Sequence, residues 1–147
     1  MRKEPKWVSK QSVLAFHEKL LADHGGAPGL LDEGLLDAAL ASAKNRFAYE
    51  QDEIFRLAAA YAYAINQNHP FTDGNKRVAL TVAGVFLELN GFRLDASEQD
   101  AAAATLALAS GEMDERQFAE WLRASCSAVS RRPRPVRRQT PKPSKKK

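Results

Sequence analysis

Apolar side chains recur at three- and four-residue spacing along most of the chain, and this spacing predicts α-helices separated by short polar breaks. The first predicted helix begins after Ser9, whose hydroxyl group can cap it. It ends at Gly25, where glycine permits the left-handed backbone of a helix stop. A short second helix is predicted to begin after Asp32. Two helices separated by a glycine-containing break are therefore predicted within residues 9–40.

The pattern changes at residues 44–51, where Phe47 and Tyr49 alternate with small or polar residues. This alternation predicts a loop or a short extended flap. Helical spacing then returns four times. The four predicted helices run from Asp52 to Ile65, from about Asn75 to Asn90, from Ser97 to near Gly111, and from Asp114 through Leu122. The chain is therefore predicted to be an all-α bundle of about six helices with a short flap.

Composition favours one helical domain. Alanine and leucine dominate, and β-branched residues seldom run together, which favours helix over sheet. The 147 residues suffice for a single domain, which we place at residues 1–126. The single cysteine, Cys126, excludes an internal disulfide and suits a reducing compartment. No apolar run approaches the roughly 20 residues of a membrane span, and the amino terminus lacks a signal peptide's apolar segment. A cytoplasmic protein without membrane contact is expected.

Residues 127–147 differ in charge from the rest of the chain. Nine basic residues and no acidic residue occupy the chain from Arg131 onward. Removing these nine charges from the chain's +4 leaves residues 1–130 with a net charge of −5. Prolines between like charges predict a disordered tail. The tail is either a solubilising extension without a specific partner or a weak, salt-dependent contact for nucleic acid.

The polar segment between the third and fourth predicted helices, residues 69–77, carries the candidate chemistry. His69 has the type of side chain that can accept a proton from a hydroxyl group near neutral pH and return it. Asp73 offers a hard oxygen ligand of the kind that Mg²⁺ prefers. Phe71 lies between polar neighbours, so its ring is expected to point inward and pin the segment to the core.

The end of the same segment predicts an anion site. Gly74 lacks a Cβ atom, and the amides around Gly74, Asn75 and Lys76 can form a nest for phosphate at the start of the next helix. Lys76 and Arg77 add full positive charges. A base, a magnesium ligand and a phosphate site within nine residues favour transfer of part of a nucleotide to a hydroxyl group. The alternative is a polar turn with a helix cap, and the joint order of the residues favours the first interpretation.

Residues 69–80 resemble the signature of the Fic/Doc superfamily, whose general form is His-x-Phe-x-Asp/Glu-Gly-Asn-Gly/Lys-Arg. Similarity to its death-on-curing (Doc) branch covers about residues 7–125. The segments that carry it are Trp7-Val8-Ser9, Gly25 to Leu30, Glu33 to Leu36, Asn45 to Tyr49 and Leu89 to Phe92. The basic tail has no counterpart in that pattern. The resemblance implies a Fic/Doc-like helical bundle.

The resemblance also implies a role for each matching residue. His69 would be the general base on the hydroxyl group of a target protein, and Asp73 would hold Mg²⁺. The nucleotide phosphates would be seated by Gly74, Asn75, Lys76 and Arg77. The segment where the family places a flap that aligns the target peptide contains Asn45, Phe47 and Tyr49.

Two positions bear on the reaction that the resemblance implies. Adenylylating members typically have glycine at the position of Lys76 and a second arginine at the position of Leu80. The Doc branch carries Asn-Lys-Arg and presents the γ-phosphate of ATP instead. The implied reaction is phosphorylation of a protein hydroxyl group, and the family's known kind of target is translation elongation factor Tu.

Two departures from the Doc pattern keep alternatives open. Gly74 stands where Doc-type kinases can have alanine, and Gln67 stands where an arginine can occur. Adenylyl transfer to a protein hydroxyl group is therefore a second hypothesis. A third is a catalytically silent module that binds an antitoxin or operator DNA.

The resemblance further implies a toxin that is restrained by an antitoxin encoded alongside it. Some adenylylating relatives carry their own inhibitory helix with the pattern Ser/Thr-x-x-x-Glu. Here Ser110 is followed four residues later by Asp114, so this chain is expected to lack such a helix. His17 and His24 are expected to be surface or capping residues rather than metal ligands.

Overall fold

The computed structural model describes residues 3–129, and helices make up most of them. The elements are α1 (Lys10–His24), α2 (Glu33–Glu50), α3 (Ile54–Asn68), α4 (Asn75–Leu89), β1 (Phe92–Leu94), α5 (Glu98–Ser110), α6 (Glu115–Ser125) and β2 (Cys126–Ala128). The predicted all-α bundle of six helices is confirmed. Within residues 3–129, none of these helices combines the length and the apolar character that crossing a membrane requires.

Four of the predicted helix starts are confirmed by their caps. Four side chains each accept a hydrogen bond from the backbone N–H group three residues further on, and these are Ser9, Asp32, Ser97 and Asp114. At α6 the cap is reciprocal, because the Gln117 side chain also accepts from the Asp114 N–H group at 2.8 Å. Such caps satisfy N–H groups that have no partner within the helix. They fix where each helix begins.

The prediction of a loop or flap at residues 44–51 is wrong, because α2 continues to Glu50. Ala43 and Phe47 extend the inward-facing stripe of the helix at four-residue spacing. Arg46 forms an ion pair with Glu115 at 2.9 Å, which ties the end of α2 to α6. The last turns of α2 are therefore stabilised by partners far along the chain, which the alternating pattern of residues 44–51 does not reveal.

Helix α3 lies at the centre of the bundle and contacts α2, α4, α5 and α6. Nine of its fifteen residues are buried. The centroid of the Tyr61 ring lies 5.2 Å from that of the Phe86 ring of α4, and the Trp7 ring stacks on Phe86 with centroids 5.7 Å apart. This packing fixes α3 and α4 relative to each other, and the segment that connects them carries the candidate chemistry.

The two strands form a small antiparallel sheet that the sequence pattern did not predict. Phe92 pairs with Ala128, and Leu94 pairs with Cys126. The pairing extends the fold to Ala128, two residues beyond the domain boundary predicted at residue 126. Most of the predicted basic tail, residues 130–147, lies outside the described residues.

Candidate active site

The segment from His69 to Gly74 joins α3 to α4 and has left-handed backbone at both ends. His69 ends α3 with φ 48°, and its N–H group donates to the Ile65 carbonyl at 3.1 Å. Gly74 precedes α4 with φ 82°, a conformation that glycine adopts without strain. Because both turns are tight, the chain reverses direction within six residues. We call residues 69–74 the active-site loop.

Phe71 and His17 anchor the active-site loop to the core. Phe71 is 1% exposed, and its ring stacks on the His17 ring with centroids 3.9 Å apart. His17 Nε2 lies 2.9 Å from the Asp73 carbonyl oxygen, so this nitrogen carries the proton and donates it. The inward position predicted for Phe71 is confirmed.

The surface or capping role predicted for His17 is wrong, because the side chain is only 5% exposed. Its place in the sequence offered a signal. His17 follows the buried Val13 by four residues and precedes Leu20 by three, so it lies on the inward stripe of α1. A polar side chain on such a stripe needs a buried partner. The loop carbonyl is that partner.

Asn75 supports the active-site loop with its side chain. Its Oδ1 accepts from the Phe71 N–H group at 3.0 Å, and its Nδ2 donates to the Phe71 carbonyl at 2.9 Å. These two bonds fix the orientation of the amide, so the same Nδ2 faces His69 Nδ1 at 3.3 Å as a donor. The contact favours the neutral His69 tautomer that has its proton on Nε2 and its lone pair on Nδ1.

The Asp73 carboxylate is exposed and held by two backbone N–H groups. Oδ1 accepts from Gly74 at 2.8 Å, and Oδ2 accepts from Ala27 at 3.2 Å. A carboxylate has about four acceptor positions, so both oxygens keep a free one. The part of the chain that the structure describes contains no group of three His, Cys, Asp or Glu residues that could hold a metal ion. A single oriented carboxylate fits Mg²⁺, which is usually bound by one or two carboxylates together with substrate phosphates.

The amino end of α4 offers an anion site. Gly74 is its N-cap, and no side chain caps the helix there. The first N–H groups of a helix have no intrahelical partner, and the helix dipole adds positive potential to them. Lys76 and Arg77 are exposed beside these groups. The Asn75 side chain is occupied by Phe71, so only its backbone N–H group is available to a phosphate.

A glycine-rich segment between α1 and α2 covers one side of the active-site loop. The Thr72 N–H group donates to the Gly29 carbonyl at 3.0 Å, and the Leu31 N–H group donates to the Pro70 carbonyl at 2.7 Å. Gly26 lies so close to Asp73 that a Cβ atom on it would be 2.8 Å from Oδ2. The loop is thus held on one side by α1 and on another by residues 25–32. The sequence pattern did not predict either contact.

One cavity of about 890 Å³ opens over the active-site loop and the first turn of α4. Its lining includes six of the nine predicted site residues, which are His69, Asp73, Gly74, Asn75, Lys76 and Arg77. His24, at the end of α1, also reaches it. The rest of the lining includes side chains of α4, β1 and α5, among them Leu80, Leu94 and Leu106.

The three residues predicted as a target-aligning flap do not line this cavity. They lie in the last turns of α2, whose carboxyl end is next to the amino end of α3. His69 follows the opposite end of α3, which is about 22 Å long at 1.5 Å per residue. Asn45 and Tyr49 are exposed, and Phe47 packs against Trp7 with ring centroids 6.0 Å apart. The structure therefore does not bring Asn45, Phe47 and Tyr49 to the site.

Fold and site together define a class of protein, an all-α bundle in which a histidine-containing loop leads into the uncapped amino end of a helix. The Fic/DOC family model matches residues 7–87, which include α1 to α3, the active-site loop and most of α4. This chain belongs to the Fic/DOC family.

Two relatives add detail to this membership. The protein named "Protein kinase doc" of Escherichia phage P1 is 34% identical over 117 residues, which cover 79% of this chain and 92% of that protein. The protein named "Toxin Doc" of Mycolicibacterium smegmatis is 43% identical over 75 residues, which cover 49% of this chain and 57% of that protein. Both names belong to the Doc branch that the sequence resembles.

Proposed function

We propose that this protein is a toxin that transfers phosphate from ATP to a hydroxyl group of a target protein, with Mg²⁺ bound at Asp73. One observation carries the proposal: His69, Asp73 and the uncapped start of α4 line a single cavity. In-line transfer requires a base and a phosphorus atom that face each other, with cations to absorb charge. The names of the two relatives, a protein kinase and a toxin, support the same function.

His69 would act as the base. With Asn75 donating to it, the ring's basic lone pair lies on Nδ1. To reach this lone pair, an incoming hydroxyl group would have to replace the Asn75 contact, which at 3.3 Å is long for a hydrogen bond. The ring would then take the hydroxyl proton as the oxygen attacks. Left-handed backbone at His69 and the bond from its N–H group to Ile65 hold the ring at the cavity edge.

The start of α4 would hold the phosphates. Backbone N–H groups and the cationic side chains of Lys76 and Arg77 would bind their oxygens, and bound Mg²⁺ would neutralise part of their charge. Asp73 is oriented for this role by Gly74 and Ala27, so its free lone pairs need no rearrangement.

Lys76 and Leu80 support phosphate transfer over adenylyl transfer. Both line the cavity, one turn apart on α4. In adenylylating relatives the pattern has glycine and a second arginine at these positions. Here the cation lies at the first turn, and the next turn is apolar. Adenylyl transfer remains the second candidate because Gly74 and Gln67 depart from the Doc pattern.

The proposed physiological setting is a type II toxin–antitoxin pair in the cytoplasm. The target would be a protein of the translation machinery, with elongation factor Tu as the first candidate, and its modification would block translation. An antitoxin encoded alongside would restrain the toxin. The described residues contain no inhibitory helix with Glu at the required spacing, since Ser110 ends α5 and Asp114 is a cap.

The test is label transfer from ATP in a cytosolic extract, with the label on either the γ- or the α-phosphate. We expect γ-label on one protein and none from α-labelled ATP. Label from the α-position alone would establish adenylyl transfer. Labelling from neither would leave the catalytically silent module as the function.

The matched variant is His69→Asn. Asparagine tolerates the left-handed backbone at this position and has no basic nitrogen, so the variant should fold normally. We expect it to lose at least about a hundredfold in transfer rate, as is typical when a general base is removed. It should also relieve growth arrest while still co-purifying with the antitoxin. Unchanged transfer by His69→Asn would remove His69 from the proposed mechanism.

A further inference from the structure

Three threonines, Thr72, Thr81 and Thr105, line the cavity over the active-site loop, and they differ in how accessible their hydroxyl groups are. Thr105 is buried, and its hydroxyl group donates to the Ala101 carbonyl at 2.7 Å. Thr81 is half-buried in the second turn of α4. Thr72 is exposed, and within residues 3–129 its hydroxyl group forms no hydrogen bond. Among these three, Thr72 therefore has the hydroxyl group that is best placed to react.

The geometry points to Thr72 as a site of self-phosphorylation, at which the protein transfers the γ-phosphate of ATP to its own active-site loop and thereby limits its own activity. This inference rests on the proposed function, because it requires that ATP be bound in the cavity. It adds a second acceptor for the phosphate and a regulatory consequence of using it.

The Thr72 hydroxyl group has no structural task within the described residues. A threonine that precedes a helix often caps it, but the N-cap of α4 is Gly74, and no side chain caps the helix there. The contact that Thr72 makes with the glycine-rich segment uses its backbone, since its N–H group donates to the Gly29 carbonyl at 3.0 Å. The inward anchor of the loop is Phe71. The hydroxyl group is therefore available for chemistry.

The active-site loop holds this hydroxyl group at its own cavity. The Thr72 backbone is tied to Gly29, and its two neighbours, Phe71 and Asp73, are both held by His17. Thr72 Oγ1 lies 3.3 Å from the position that a Cβ atom would take on Gly29. A group fixed in this way meets a bound nucleotide at a high effective concentration, and it is not free to enter the cavity of a second copy. We therefore expect the transfer to be intramolecular.

Chain connectivity places Thr72 beside the groups that would react. Two peptide units separate it from Gly74, so its Cα atom lies at most about 7.6 Å from that of the N-cap of α4, twice the spacing of consecutive Cα atoms. Oγ1 would form a bond to the γ-phosphorus while the bond from that phosphorus to the β–γ bridging oxygen breaks. ADP would leave with that oxygen, and the hydroxyl proton would pass to His69, which lines the same cavity.

A phosphate group on Thr72 would compete with the nucleotide. It carries a charge of about −1.5 to −2 at neutral pH and three strong acceptor oxygens. The uncapped N–H groups of α4 attract such an anion, as do Lys76 and Arg77. The same groups are required by the phosphates of ATP. Self-phosphorylation would therefore weaken ATP binding and limit how long each toxin molecule remains active.

The experiment incubates the purified full-length protein with Mg²⁺ and γ-labelled ATP in the absence of a target protein. We expect incorporation to approach a single phosphate per chain, and peptide mapping by mass spectrometry should locate it at Thr72. The rate constant should be independent of protein concentration. Label at Thr81 or at any other residue instead of Thr72, or a rate constant that rises with protein concentration, would overturn the inference.

Threonine variants test whether the hydroxyl group itself is the acceptor. Thr72→Ser keeps a hydroxyl group and should be labelled, whereas Thr72→Val has nearly the same shape and should not be. Thr81→Val is the matched control, because it removes another hydroxyl group from the cavity lining, and it should be labelled like the wild type. Equal labelling of Thr72→Val and Thr81→Val would exclude Thr72 as the acceptor.

A mixing experiment tests whether the transfer is intramolecular. His69→Asn should remain unlabelled even when it is incubated together with the wild-type protein. The tryptic peptide of residues 57–76 contains both position 69 and Thr72, so its mass distinguishes the two proteins in the mixture. Phosphate on the variant peptide would show transfer between molecules and would contradict the inference.

The consequence is tested by calorimetry on the modified protein. We expect the phosphorylated form to bind Mg²⁺-ATP at least about tenfold more weakly than the unmodified form, and its transfer to the target protein to slow accordingly. Equal affinity of the two forms would refute the self-limiting role.

The outcomes also separate this inference from the proposed function. In a cytosolic extract, label on Thr72 would appear at the toxin's own mass, apart from the label on the target. If the target is labelled and the toxin is not, self-phosphorylation is wrong and the phosphotransfer proposal stands. If neither is labelled, both are wrong.

Discussion

His17 is buried under the active-site loop and does not line the cavity, yet two of its contacts fix the backbone that carries His69 and Asp73. The stacked Phe71 ring requires only a flat partner, whereas the Asp73 carbonyl requires a donor. The two contributions can therefore be separated by a substitution that keeps one and removes the other.

His17→Phe is predicted to keep the stacking and lose the hydrogen bond. We expect the free energy of unfolding to fall by about 1 kcal/mol, the usual value of such a bond. Transfer should fall about 10- to 100-fold, because small displacements of catalytic groups are costly. Urea unfolding and label transfer measure the two effects. Ala15→Phe is the control for stability, because Ala15 is exposed on the same helix and does not line the cavity. The prediction would be contradicted if transfer by His17→Phe fell no further than its loss of stability implies.

Gly26 limits how the Asp73 carboxylate can be oriented. Its φ of +123° favours glycine, and a Cβ atom would lie 2.8 Å from Asp73 Oδ2. Gly26→Ala is predicted to displace the carboxylate and to raise the Mg²⁺ concentration required for half-maximal transfer several-fold. Gly25→Ala also places alanine at a positive φ, of +80°, but its Cβ atom would have no neighbour within 4 Å. Both variants should lose about 1 kcal/mol of stability, and a Mg²⁺ requirement that rises equally in both would refute the prediction.

Among the elements, α2 is the one whose length changes the functional interpretation. Its last turns pack Phe47 against Trp7 and leave Tyr49 86% exposed, at the end of the bundle opposite His69. Phe47→Ala is predicted to cost about 2 kcal/mol of stability, below the usual range for a fully buried phenylalanine because Phe47 is only half-buried. Tyr49→Ala should change stability by no more than about 0.5 kcal/mol. Transfer to the protein target should be unaffected in both variants when it is measured below the unfolding transition. Impaired transfer in Tyr49→Ala would indicate that this segment does help to align the target.

The elements that could be predicted from sequence are those whose determinants are local. Ser9, Asp32, Ser97 and Asp114 each bond within three residues, so their caps are visible in the sequence itself. The β1–β2 sheet could not be predicted, because its two strands have three residues each and pair across more than thirty residues of chain. The end of α2 was missed for the same reason, since Arg46 finds its partner Glu115 on α6.

The candidate site also has one part that can be predicted from the local sequence and another part that depends on contacts far along the chain. The order of residues from His69 to Arg77 predicts a base, a magnesium ligand and an anion site, and the residues assigned to these roles line one cavity in the structure. The contacts that hold them come from elsewhere, because His17 and Ala27 lie 56 and 46 residues from Asp73. The part of the cavity wall that α5 forms also comes from residues far along the chain. A motif therefore indicated the chemistry, and only the fold showed what supports it and what lies opposite.

For the molecule as a whole, α3 connects the core to the site. Tyr61, at its middle, is fully buried and accepts a hydrogen bond from the Val8 N–H group at 3.3 Å. Burial raises the pKa of Tyr61 to about 12, against the smaller opposing effect of the Val8 bond. Burial, together with the nearby Asp95 carboxylate, also raises the pKa of Cys126 to about 11. Both groups thus keep their protons in the folded protein at pH values where the unfolded chain releases them.

These raised pKa values imply that the folded protein loses stability as the solution becomes more alkaline. Between the ordinary pKa values, 9.0 for the thiol and 10.0 for the phenol, and the raised ones, the unfolded chain binds fewer protons than the folded protein. The free energy of unfolding must therefore decrease as the pH rises through this range. Tyr61 should contribute a decrease of about 2–3 kcal/mol between pH 10 and 12. The partly exposed Cys126 should contribute less, because solvent reaches the thiol.

Tyr61→Phe isolates this contribution. The variant should be less stable than the wild type at pH 8, by about 1 kcal/mol or more, because the buried Val8 N–H group loses its partner. The difference should shrink above pH 10, since only the wild type then has to keep a buried phenol protonated. Urea unfolding at a series of pH values from 8 to 11.5 measures both curves, and the lysines, which are common to both proteins, cancel in the comparison. Parallel curves would show that the Tyr61 hydroxyl does not couple proton release to unfolding, whereas converging curves would show that burial of Tyr61 contributes to the alkaline loss of stability.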